Sequence, residues 1–130
     1  MRRARVVLAV ALAAAVLPAC TTSSRTITID MRFTHFLPAA FAVHRGETVR
    51  FKLVNEDPIT HEFILGSQAV QDQHERGKDE KHDGKPGQAT LKPGETQFVS
   101  FTFGSTGSLI FGCHRPGHYA YGMHGTATVT

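Results

Sequence analysis

The stretch CHRPGHYAYGMHG, residues 113–125, gathers a cysteine, three histidines and a methionine near the C-terminus. Within it Cys113, His118 and Met123 are spaced C-x4-H-x4-M. A thiolate, an imidazole and a thioether together prefer a soft or borderline transition metal. Three such donors on one loop leave a metal site unfinished, so a further donor has to arrive from elsewhere in the chain. The chemistry therefore demands a fold that returns a distant segment to this loop.

The rest of the chain supplies strands for that purpose. TITIDM and ETVRFKLVN alternate, the second placing Val49, Phe51 and Leu53 on one face. HEFIL is a short apolar run, TQFVSFTF aligns Val99, Phe101 and Phe103, and GSLIFGC and GTATVT follow. Pro38, Gly46, Pro58, Gly66, Pro93-Gly94, Gly104 and Gly107 punctuate these runs. Short strands at this spacing predict an all-β fold, an antiparallel Greek-key sandwich or barrel. Two GET triplets, at Gly46 and Gly94, each open a strand, and shared turn chemistry explains them better than duplication. One segment breaks the rhythm: SQAVQDQHERGKDEKHDGKPGQAT, residues 67–90, is polar, of mixed charge and free of aromatic residues. It is read as a long exposed insertion, partly disordered or carrying one short helix, with His74 and His82 as surface residues rather than a second metal site.

In such a sandwich the start of HEFIL can lie beside the C-terminal loop, which makes His61 the best remaining donor. Two imidazoles and a thiolate in a trigonal set, with a weak axial methionine, are the donors of blue-copper centres. The expected cofactor is one type 1 copper ion. His114 and His124 flank ligand positions and are expected to point away from it, while His35 and His44 are expected to be structural or exposed.

FLPAAFAVHRGETVRFKLVNEDPITHEFIL followed by GSLIFGCHRPGHYAYGMHGTATV resembles the cupredoxins, the plastocyanin and azurin group of single-copper electron carriers. The resemblance spans nearly all of the chain beyond the N-terminal segment, apart from residues 67–90. It implies that His61, Cys113 and His118 are the strong equatorial ligands, Met123 the axial one, and His118 the route by which electrons leave. Phe36, Leu37, Pro38, Pro116 and Tyr119 would line an apolar patch there, on which redox partner proteins dock transiently. Small carriers often have Asn or Ser after the upstream histidine, where this chain has Glu62. A carboxylate near the metal would favour Cu(II) and lower the potential, unless it points outward. Asn55 is the candidate for the hydrogen bond that Glu62 does not make.

Electron transfer is the expected function, because a fixed set of two imidazoles, a thiolate and a thioether serves both Cu(I) and Cu(II) tolerably. The rival is a copper chaperone or copper-sequestering protein that passes its ion on. Enzymatic readings fail on particular residues. The residue before Cys113 is Gly112 and no His-x-His pair occurs, so the copper cluster of multicopper oxidases has no ligands. A two-copper centre would need a second nearby cysteine, and hydrolysis would need an open coordination position.

The N-terminus bears on location. MRRARVVLAVALAAAVLPAC has a basic head, an apolar run from Val6 to Leu17 and small residues before Cys20, the layout of a secretory signal. Leu17-Pro18-Ala19-Cys20 resembles the bacterial lipoprotein box, which implies cleavage before Cys20 and lipid on its sulfur. The expected organisation is a signal peptide over 1–19, a lipidated N-terminus and tether over 20–25, and a copper-binding domain over 26–130. The protein is then exported, periplasmic or otherwise extracytoplasmic, and held to the membrane through the Cys20 lipid as a monomer. Of 14 Lys and Arg against 11 Asp and Glu, Arg2, Arg3 and Arg5 lie in the signal, so 11 bases face 11 acids in the remainder. That balance carries no sign of a nucleic-acid partner.

Overall fold

The structure, a computed structural model, describes residues 24–77, 82 and 84–130. The signal segment and Cys20 lie outside them. Among the described residues the chain forms β1 (Arg25–Arg32), β2 (His35–Leu37), β3 (Ala40–Val43), β4 (Thr48–Asn55), β5 (His61–Gly66), α1 (Gln68–Glu75), β6 (Gln88–Leu91), β7 (Thr96–Thr102), β8 (Gly107–Gly112) and β9 (His124–Val129). The strands make two sheets, ordered β2-β1-β4-β7 and β3-β9-β8-β5-β6.

The alternation in the sequence decides which residues face inward. Ile29 and Met31 from β1 and Val49, Phe51 and Leu53 from β4 are fully buried, and they meet Phe63, Leu91, Phe111 and Ala127 from the second sheet. Seven phenylalanines, Phe36, Phe41, Phe51, Phe63, Phe101, Phe103 and Phe111, form one connected set of ring contacts between the layers. Phe63 and Phe111 lie 5.6 Å apart between ring centres, Phe36 packs edge-on against both, and Phe41 stacks on Phe111 at 5.4 Å. Each such buried ring contributes about 1.5–3 kcal/mol relative to an exposed one.

Two features depart from the sequence reading. Not every pairing is antiparallel, since β1 runs parallel to β4 and β3 parallel to β9. The chain leaves the first sheet through β3, which joins the second, and re-enters at β4 beside β1 in the same direction. Nor is the segment 67–90 a wholly exposed insertion. Helix α1 lies on the outer face of the second sheet and buries Gln71 and His74, and His82 is buried as well. The polarity of this helix is what lets it dock. Gln71 Nε2 donates to Ile64 O and Ile110 O at 3.0 and 2.9 Å, satisfying strand carbonyls that an apolar side chain would strand without a partner.

The two GET triplets do share turn chemistry. Gly46 and Gly94 both have positive φ, at 85° and 71°. In each turn the glutamate side chain accepts a backbone N–H three residues back, His44 for Glu47 and Lys92 for Glu95, while the glutamate N–H donates to the same residue's carbonyl.

Close approach makes Gly125 irreplaceable. A Cβ there would collide with the Phe111 ring and with Ala39 O, one of them a rigid aromatic and the other backbone. Gly125→Ala is expected to destabilise the fold by about 1–3 kcal/mol, read as a lower urea midpoint at unchanged slope.

Candidate metal centre

His61 opens β5, and Cys113 follows the last residue of β8. The antiparallel pairing of these strands, with Ile64 opposite Gly112, brings the start of one beside the end of the other. The loop from Cys113 to Met123 then closes on itself. Cys113 N–H donates to Met123 O, Met123 N–H to His118 O, and His118 N–H to Arg115 O. This returns His118 and the fully buried Met123 to the mouth of the same strands.

The result is a triangle of donor atoms. His61 Nδ1 lies 3.3 Å from His118 Nδ1 and 3.9 Å from Cys113 Sγ, and His118 Nδ1 lies 3.3 Å from that sulfur. These three are the His, Cys and acidic side chains that converge closely enough to share an ion among the described residues. The edges fix a centre about 2 Å from every corner, within the range of about 2.0–2.3 Å typical of imidazole and thiolate bonds to such metals.

Each ring is presented in the form a metal requires. His61 Nε2 faces Asp57 Oδ2 at 2.8 Å. The proton belongs on that nitrogen, because a carboxylate only accepts, and the Nδ1 lone pair is left facing the centre. Burial lowers the pKa of His118, and the neighbouring His61 and Arg115 lower it further, which favours the neutral ring that a metal needs. A proton on His118 Nδ1 can bridge the 3.3 Å to the His61 Nδ1 lone pair, and a metal ion between the rings would take its place.

Asp57 is the anchor of this arrangement. Its Oδ1 and Oδ2 accept the N–H groups of Phe33 and Thr34 at 2.7 and 2.8 Å, holding two left-handed residues, φ 54° and 58°, that would otherwise be strained. Its own N–H donates to Asn55 Oδ1 at 3.0 Å. Partial burial raises the Asp57 pKa, but the Thr34, His61 and Phe33 hydrogen bonds outweigh that and leave the carboxyl below its usual range.

The thiol is held neutral until metal arrives. Burial pushes Cys113 from an ordinary 9.0 up to about 11, against the opposing effect of hydrogen bonds from the Glu62 and Arg115 N–H groups. Cys113 is the free cysteine of the described residues.

These donors meet a matching ancestry. The family model for copper binding proteins of the plastocyanin/azurin family matches residues 23–130. The chain belongs to that family. It is 31% identical to the copper-resistant cuproprotein CopI of Pseudomonas aeruginosa, over 82% of this chain and 77% of that protein. It is 36% identical to the protein of the same name from Rubrivivax gelatinosus, over 82% and 67%. Auracyanin B shares the fold, with a TM-score of 0.70 at 23% identity over 90% of this chain and 93% of the other. The cofactor is copper, and two imidazoles, a thiol and a methionine in one site are consistent with a single type 1 ion.

Within this cupredoxin, several expected neighbours of the metal have other roles. The Glu62 side chain points away from the triangle toward His82, 3.6 Å from its Nε2. Its backbone N–H donates to Cys113 Sγ at 3.3 Å, so the main chain rather than the side chain makes the sulfur contact. Asn55 does not reach the ligands. Its Nδ2 donates to Ile59 O, Leu91 O and Lys92 O, and through Asp57 it acts on His61 one step removed. Phe36 belongs to the core rather than to a surface patch, and the half-buried Tyr119 stacks on His114 at 4.9 Å. Leu37 remains exposed. His114 turns toward α1, and His124, His35 and His44 are exposed, as expected.

The residue missed by sequence reasoning is Asp57, whose signal was an acid four positions before His61 in a turn-rich loop. Asp57→Ala is expected to weaken copper binding about 10–100-fold while the Cys113 band survives, measured by competition with a chelator. The metal-free thiol should be correspondingly inert. A group moved from 9.0 to about 11 carries about a hundredth of the thiolate at pH 8, so alkylation of folded protein should run roughly 100-fold slower than that of unfolded chain and catch up as pH passes 11.

Proposed function

We propose that this protein is an exported copper-tolerance cupredoxin of the bacterial envelope, which binds copper at a type 1 centre and so restrains it outside the cytoplasm. His61, Cys113 and His118 are the equatorial ligands and Met123 the axial one. The observation that carries this is the donor triangle, whose three edges of 3.3, 3.3 and 3.9 Å are already those of a trigonal metal. The naming of two relatives as copper-resistant supports copper handling over the carrier reading. With Met123 as the fourth ligand the set would be closed to a water-derived nucleophile, which supports a non-enzymatic role. The signal-like N-terminus and Cys20 support export and lipid anchoring.

Electron transfer is the second reading, favoured by the partial exposure of His118 while His61, Cys113 and Met123 are buried. Exposed Leu37 and Ile59, one at the end of β2 and the other two residues before His61, support a docking rim for a redox partner.

The test has a spectroscopic and a cellular arm. Adding Cu(II) should produce an intense visible thiolate-to-copper band and a narrow copper hyperfine splitting, both lost in Cys113→Ser. A strain lacking the gene should regain growth in copper with the parent gene and fail to with Cys113→Ser. Growth restored equally by both genes would refute copper tolerance through this centre. Reversible one-electron cycling with retained metal would then give electron transfer first place.

A further inference from the structure

Three N–H groups converge on the Asp57 carboxylate, those of Phe33, Thr34 and His61 Nε2, at 2.7, 2.8 and 2.8 Å. Both oxygens accept, Oδ1 from Phe33 and Oδ2 from Thr34 and His61. An amide in this place would offer a single accepting oxygen and turn the hydrogens of its nitrogen toward a donor. The position therefore calls for an anion. Partial burial raises the pKa of the carboxyl, yet the Thr34, His61 and Phe33 hydrogen bonds outweigh it and keep the group ionised.

This anion acts on a ligand ring directly. Glu62, the carboxylate expected beside the metal, faces His82 instead, whereas Asp57 holds the edge of the His61 ring opposite its donor atom Nδ1. Other charges near the centre offset one another: Glu62 and Arg115 act on the Cys113 thiol in opposite directions, and Arg32 is paired with Glu56 at the surface. Among the described residues Asp57 pairs with no lysine or arginine, so its charge is left to act on His61. The donors that surround the metal position are themselves out of water, since His61, Cys113 and Met123 are fully buried. A buried group of charges is least costly when they cancel. A thiolate at Cys113 and the carboxylate of Asp57 supply two negative charges, which Cu(II) balances and Cu(I) does not.

We propose that Asp57, a positioning residue acting through His61, lowers the reduction potential of this centre and tilts its preference toward Cu(II). The hydrogen bond adds to the charge: a ring that donates its far proton to a carboxylate is a more basic ligand, and the more highly charged ion gains most from it. The inference rests on the copper centre described above and deepens the copper-handling reading. The oxidation state in which copper is retained is set by a residue outside the ligand set.

The test measures the reduction potential of copper-loaded parent, Asp57→Asn and Asp57→Glu proteins, with the visible thiolate-to-copper band reporting that fold and centre survive. Asp57→Asn removes the charge and should raise the potential by about 59 mV or more, a tenfold or greater shift in preference toward Cu(I). Chelator competition should place that loss on Cu(II), with Cu(I) affinity nearly unchanged. Asp57→Glu keeps the charge and should stay close to the parent. An Asp57 that served the fold alone would move both variants alike; that result, or no rise in Asp57→Asn, overturns the inference. If either variant fails to form the band, NMR of the parent's Cu(I) form decides: a His61 Nε2 proton that exchanges slowly with water is expected, and an unprotonated or rapidly exchanging Nε2 overturns the inference. A parent protein without the band overturns the copper centre and this inference together, whereas a parent with the band and an unmoved Asp57→Asn potential overturns this inference alone.

Discussion

Three metal-donor atoms from distant parts of the chain are held within 3.9 Å of one another, and most of the architecture serves to keep them there. Without metal, a proton can bridge the facing Nδ1 atoms of His61 and His118 and the buried thiol keeps its own. With metal, the ion replaces these protons and the donors need little rearrangement. The restraint comes from hydrogen bonds that lead away from the centre: Asp57 on His61, the Glu62 N–H on Cys113, and the Cys113 to Met123 closure of the loop. Asp57 matters most because it serves several clients together. It fixes one ligand ring, props the left-handed turn between β1 and β2, and is held in turn by Asn55.

That restraint works only on a stiff support. Cys113 and His61 are placed by strands whose inner faces interlock through Phe36, Phe63 and Phe111, and Gly125 lets the Phe111 ring lie against the backbone of β9. Close packing of this kind resists small displacements, so a ligand set built at one end of the sandwich inherits the rigidity of its core. A rigid set of mixed soft and borderline donors accommodates both oxidation states of copper, which is why one geometry is compatible with either holding copper or passing electrons.

Helix α1 adds a further layer outside the second sheet, and its consequences reach the metal loop. Gly112 is required where Gln71 and Tyr119 crowd the strand, since a Cβ would come within 2.7 Å of the Tyr119 ring and 2.9 Å of Gln71 Oε1. Tyr119 stacks on His114, and His114 hydrogen-bonds Gln71, so the residue following the copper cysteine is clamped between helix and loop. The outward side of the ligand loop is thereby tied to helix α1 through His114.

The sequence by itself determined what depends on local order. Alternation in ETVRFKLVN marked a buried face, the two GET triplets marked equivalent turns, and C-x4-H-x4-M put three donors on one loop, because side-chain period, turn chemistry and short loop spacing are set by neighbours along the chain. His61 was legible through the one long-range rule that strand ends of a sandwich meet. Tertiary structure alone decided the rest. Asp57 became an anchor only because the turn at Phe33 and the Nε2 edge of His61 arrive at the same carboxylate. The segment 67–90 read as solvated because a polar side chain looks alike in sequence whether it faces water or a strand carbonyl. Gln71 and His74 went inside since the second sheet offered unpaired acceptors and a cleft, and no periodicity within the helix encodes what lies beneath it.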